Sequence, residues 1–228
     1  AAAGCKGILS RSEEDVEHYV SVWNTYKAEG HHITKFVPAS GAASRMFKNL
    51  FEFISADYDT PQTKFEPEFF AGIHKFAFYE ALNDACMVGE GTCIDELIEA
   101  GNYKAVVANL LGEGGLNYGQ LPKGLLQFHT YADCARTPVE EHLTEAALYA
   151  SSQGEAEVHF TVSGEHRALF DELINRVVPE YEQTHHITYK VSMSEQKAST
   201  DTVAAGMDNT PFRGDDGAML FRPGGHGA

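Results

Sequence analysis

The chain has 228 residues and a mass of 25.0 kDa, enough for one large domain or two small ones. Asp and Glu total 33 against 17 Lys and Arg, a formal charge of -16. That balance argues against the basic face of a nucleic-acid binder and against attachment to anionic membranes. No apolar run approaches the ~20 residues of a membrane span and no signal-peptide pattern opens the chain, so a soluble, cytoplasmic protein is expected.

Ser12 to Glu29 reads as a helix, capped by Ser10 or Ser12, with acids in its first turn and Val16, Val20 and Trp23 at helical spacing. Thr34–Ala39 is a β-like run, followed by the small residues Ser40, Gly41, Ala42 and Ala43, and then by a helical pattern from Ser44 to Ile54. A polar linker from Asp57 to Lys64 precedes an aromatic helix over Pro67–Asp84. Thr92–Leu111 holds one or two further helices, broken near Gly101, and Gly112–Gly119 is glycine-rich. Thr137–Ser152 is marked as a helix by Pro138 at its start and by Glu140 and Glu141 in its first turn.

After it, Glu157–Val162 and Ile187–Met193 alternate as strands around a helix at Glu165–Tyr181. Thr202–Met207 offers a further strand, and Pro211–Arg222 a hairpin turned at Asp215-Asp216-Gly217. Strands spaced by crossover-length helices predict an α/β fold with a mainly parallel central sheet and helices on both faces. The helical stretch 57–119 is expected as an insertion in this single domain. The start without Met and the glycine-rich close at Gly224–Ala228 suggest a sequence that continues past Ala228.

Two segments point to an anion site. Small residues between a strand and a helix let backbone N–H groups approach a phosphate, with Gly41 free to adopt positive φ and Ser44 and Arg45 adding donors. The plainer alternative is a tight turn that needs small residues for packing. The second segment is Leu121-Pro122-Lys123-Gly124, where a lysine is pinned between Pro and Gly; alternatively it is a solvated lysine in a turn. Neither Ile33–Phe51 nor Gly114–Ala132 contains an acid, although windows of this length should lack one only about once in twenty. Positive potential is thus kept around both loops in an acidic protein.

Ala39–Met46 resembles the glycine-rich loop that opens sugar nucleotidyltransferases, and Pro122-Lys123-Gly124 resembles their downstream Pro-Lys motif. Ser194-Glu195-Gln196 and Pro223–Ala228 are similar to the base-reading segments of the uridylyl-transferring branch, and most of residues 8–228 resembles the domain of unknown function 4301 family. The resemblance implies a nucleotide-diphospho-sugar transferase-like fold. It also implies a reaction in which a sugar 1-phosphate attacks a nucleoside triphosphate to form a nucleotide sugar and pyrophosphate. By the same resemblance Arg45 and Lys123 would be catalytic, while Ser40, Gly41, Ala42, Ala43, Ser44, Gln196, Gly225, His226 and Gly227 would bind the nucleotide. Mg²⁺ would be the cofactor. Ser40 and Ala43 stand where the motif has glycines, and His226 stands where it has Asn.

No aspartate is assigned to the metal. Asp201 and Asp208 are candidates, set against ordinary roles in turns or at strand ends. Glu140, Glu141, His142 and Glu145 read either as a metal cluster or as the acidic turns of an exposed helix. A glycosyltransferase of related fold is the alternative, but the D-x-D letters of Asp57-Tyr58-Asp59 fall in a linker. A nucleotide-binding module without turnover is the third reading.

Overall fold

The computed structural model describes residues 3–4 and 7–222. Helix α1 (Glu13–Ala28) is closed at its start by a capping box in which Ser12 and Asp15 satisfy each other's backbone donors. It buries none of its side chains, and Trp23 Nε1 reaches the Tyr149 carbonyl at 2.8 Å. The sheet is built from β1 (Thr34–Pro38), the short β2 (Ser151–Ser152), β3 (Glu155–Val162) and β4 (Thr188–Glu195). β3 is central, with β1 and β4 parallel to it on either side, as alternation and crossover spacing predict. β2 doubles back onto the start of β3 through Gln153 (φ 53°) and Gly154 (φ 77°), a two-residue turn with left-handed backbone at both positions.

Ala156, Val158, Phe160 and Val162 point to one face of β3 and are fully buried. Over them lie α7 (Pro138–Tyr149) and α8 (Arg167–His185), which pack side by side and contribute Leu143, Ala146, Phe170, Leu173 and Val177. The expectation of helices on both faces is corrected here. The opposite face carries Glu157, His159 and Thr161 in register with Lys190, Ser192 and Ser194, and Phe36 on that face is 60% exposed. Strands covered on both sides read as continuous apolar runs, whereas strict alternation belongs to a sheet with one wet face. On this face the ring of His159 stacks on Phe36 and bonds Ser192 and Ser194, each at 2.8 Å.

A second apolar core lies apart from the sheet. It is built from α2 (Lys48–Ser55), α3 (Phe65–Ala71), α4 (Tyr79–Gly89), α5 (Ile94–Glu99) and α6 (Tyr103–Leu111). This core also takes in Ala43, Phe47 and Leu126, so it reaches beyond the 57–119 stretch at both ends. The aromatic helix expected over Pro67–Asp84 is broken. α3 stops at Gly72, a turn of 3₁₀ helix follows at Ile73–Lys75, and Phe76 is extended. The break allows what one helix face would forbid: Phe76 and Phe78 stack at 5.0 Å and 6° between ring planes.

Cys86 sits inside this core at 0% exposure, and burial, with Glu90 nearby, pushes its thiol up to about 11. Cys134 is exposed. Alkylation at pH 8 followed by mass spectrometry is therefore expected to label Cys134 in the native protein and Cys86 only after denaturation. Labelling of native Cys86 at the same rate would contradict the packing of α4.

Beyond the sheet, Thr202–Val203 pairs with Phe221–Arg222 rather than with β4, so the further strand belongs to a separate ribbon. Its turn, near Asp215-Asp216-Gly217, is closed by a bond from Gly214 N to Ala218 O and by Gly217 at φ 77°.

Candidate functional site at the carboxyl ends of the strands

The loop after β1 runs directly against the Pro122 segment. Ala42 and Pro122 form an antiparallel bridge, Lys123 N donates to Gly41 O at 2.9 Å, and Ala43 N donates to Leu121 O at 3.4 Å. The two acid-free windows are thus brought together by backbone pairing between residues 80 positions apart. Lys123–Leu125 forms a short 3₁₀ turn held against the sheet-side core. Gly124 has little room for a side chain there, because a Cβ would stand 3.1 Å from the buried ring of Phe170.

Under this junction is a cavity of about 520 Å³. Val37, Phe160, Val139 and Phe128 give it apolar walls, and Gly41, Lys123 and His142 are among its other lining residues. Met46 also reaches it. Among the described residues no carboxylate lines it, in a chain of formal charge -16. On the other side of the loop, Ser40 Oγ donates to Gln196 Oε1 at 3.0 Å, while Gln196 N is held by Val162 O at 3.0 Å. Ser40 therefore spans from the end of β1 across β3 to the residue that follows β4.

Of the residues singled out from sequence, Ser40, Gly41, Lys123 and Gln196 gather at the carboxyl ends of the strands. Arg45 does not share the cavity. It is exposed and lines a separate depression with Ser44, Lys48 and Glu52. The reason is local: residues 44–47 form turns, with Met46 N bonded to Ala43 O, and α2 begins only at Lys48. The expected cradle at a helix start is corrected on two further points. Ala43 is buried at 0% in the helical core with its N–H spent on Leu121, and Gly41 is not among the glycines with positive φ. Gly225, His226 and Gly227 lie outside the described residues.

His142, which the sequence leaves between a metal cluster and an acidic helix turn, belongs to an ion-paired group instead. Its Nδ1 lies 3.0 Å from Glu145 Oε2, which also accepts from Lys35 Nζ at 2.7 Å. The Lys35 side chain is 10% exposed, and its ammonium also bonds the Tyr149 hydroxyl. Burial works to lower the pKa of Lys35, but the bonds to Glu145 and Tyr149 outweigh it and hold the ammonium above its usual range. The Lys35 bond in turn holds Glu145 below the usual carboxylate range, against the opposing effect of burial. The signal in sequence was an i, i+3 pair on a helix; its partner on β1 lies 110 residues earlier and leaves no local trace.

Among the described residues, no three His, Cys, Asp or Glu side chains stand close enough to share a cation. Asp208 instead bonds Thr210 through its backbone N and its hydroxyl, at 3.1 and 2.8 Å. No helix among the described residues is long and apolar enough to cross a membrane.

Fold and site together define an α/β protein with a cavity at the carboxyl ends of a parallel sheet. A family model described as Domain of unknown function (DUF4301) matches residues 1–228, and the chain belongs to that family. No curated protein and no solved structure matches the chain.

Proposed function

We propose that the cavity binds the phosphate groups of a nucleotide, and that the protein is a sugar-phosphate nucleotidyltransferase of the nucleotide-diphospho-sugar transferase type. The observation that carries the reading is the Ala42–Pro122 bridge. It brings Lys123 to a cavity free of acids at the strand ends, where open α/β sheets take their ligands. In the proposed reaction an oxygen of a sugar 1-phosphate attacks the α-phosphorus of a nucleoside triphosphate in line. The bond to the β-phosphate breaks, and pyrophosphate leaves with the electron pair. Such chemistry needs positioning and charge neutralisation more than proton transfer.

In this reading Lys123 neutralises charge on the transferring phosphoryl group, and the Ser40–Gly41 turn holds the chain of phosphates. Gln196, tied to Ser40, stands beside the base. Mg²⁺ enters only as the companion of the triphosphate, and no step is assigned to it. A binding module without turnover is the second reading, favoured by the burial of Ala43 where the motif has a glycine.

Calorimetry with UTP and Mg²⁺ tests the assignment. The Lys123→Ala variant is expected to lose roughly 1.5–3 kcal/mol of binding, the scale of a hydrogen bond to a charged group, and Arg45→Ala much less. Unchanged affinity in Lys123→Ala would refute the site. Binding without pyrophosphate release on adding a hexose 1-phosphate would favour the module.

A further inference from the structure

We infer that His142, oriented by Glu145, is a second anion-binding group of this cavity, so that a bound phosphate is met by Lys123 on one side and by the imidazolium on the other. This inference rests on the phosphate-binding reading above. Three observations carry it. Lys123 and His142 supply the basic side chains of a lining without acids. The bond from Nδ1 to Glu145 fixes the ring and leaves Nε2 as the nitrogen His142 can offer to a ligand. Glu145 is itself fixed, because Lys35 on β1 and His142 on α7 share its Oε2. An isolated helix pair at i, i+3 would need no such anchor on a strand.

The protonation state decides what the ring does. With Nδ1–H donated to the carboxylate, a neutral imidazole presents a lone pair at Nε2, which repels a phosphoryl oxygen. A protonated ring presents N–H and attracts it. The groups around His142 are Glu145 on its own helix, Lys35 and Tyr149 behind Glu145, the uncharged ring of Phe160 on β3 at 6.4 Å, and Lys123 in the same lining. An anion bound at Nε2 therefore favours the protonated ring and is coupled to proton uptake there.

The test is calorimetry with UTP at pH 6 and pH 8 on the wild type, Lys123→Ala and His142→Gln. The ligand's own titration cancels when variants are compared at one pH. His142→Gln is expected to bind roughly tenfold more weakly than wild type at pH 6 and within about twofold of it at pH 8. In parallel, the His142 ring protons followed by NMR should titrate at higher pH when UTP is bound. A Lys123→Ala defect with wild-type affinity in His142→Gln at pH 6 would overturn this inference and leave the phosphate site standing. So would an equal loss at both pH values, or an unmoved His142 titration. No heat from the wild type at either pH would overturn the phosphate-site reading itself.

Discussion

Replacing Gly115 with alanine is expected to destabilise the protein by about 4 kcal/mol or more, a size reached only when packing or backbone geometry is broken outright. The glycine-rich stretch after α6 is pinned to the end of that helix by backbone bonds. Leu116 N reaches Asn109 O at 2.8 Å, Tyr118 N reaches Leu110 O at 3.0 Å, and Gly119 N reaches Leu111 O at 3.1 Å. A Cβ at Gly115 would lie 1.9 Å from the Asn109 carbonyl oxygen, so the backbone pairing must open to admit it. The neighbouring Gly114 has nothing within 4 Å of its Cβ position. Gly114→Ala is therefore expected to stay within about 0.5 kcal/mol of wild type. Urea denaturation of the two variants side by side measures the difference, and equal midpoints would contradict the packing of this segment.

The second large effect is expected at Glu66. It is 2% exposed, yet it accepts from Gln62 N at 2.7 Å, Thr63 N at 3.1 Å and the Tyr58 hydroxyl at 2.9 Å. Burial alone would raise the pKa of this carboxyl. The backbone bonds from Gln62 and Thr63 and the Tyr58 bond outweigh burial and hold it below its usual value. Glu66→Ala strands the two backbone donors and the hydroxyl, and should cost about 3 kcal/mol. Glu66→Gln should cost about 1 kcal/mol, since the amide oxygen still accepts from the backbone and the tyrosine hydroxyl can turn to accept from the NH₂ group. A lowered folded-state pKa stabilises the protein above the unfolded pKa of the carboxyl, and this contribution is lost as pH falls through the folded value. Acid unfolding of Glu66→Gln should accordingly be less steep than that of wild type. Identical acid transitions would show that Glu66 is not linked to folding.

The strands were legible because alternation is a local signal. Val158, Phe160 and Val162 mark one face of β3 within a few residues, and the parallel pairing follows from the crossover lengths. The same alternation already implied a wet second face, and the expectation of helices on both faces overlooked it. The break after α3 was hidden because Phe76 and Phe78 are spaced for neither element, and ring stacking settles their place only in three dimensions. At the site, Lys123, Gly41 and Ser40 were visible as small or basic residues in acid-free surroundings. Their meeting with Gln196 across the end of β3 is a tertiary contact between residues 156 positions apart. The setting of His142 was not legible because it depends on Lys35, and no helical pattern reports a partner on a strand. Arg45 was misplaced because a run of turns, rather than a helix start, follows the loop.

The most direct test of the phosphate site is a crystal structure of the chain soaked with UTP and Mg²⁺. The account predicts triphosphate density in the cavity, with phosphoryl oxygens within hydrogen-bond reach of Lys123 Nζ and His142 Nε2. Triphosphate bound instead at the Arg45–Lys48 depression, with the cavity empty, would contradict it.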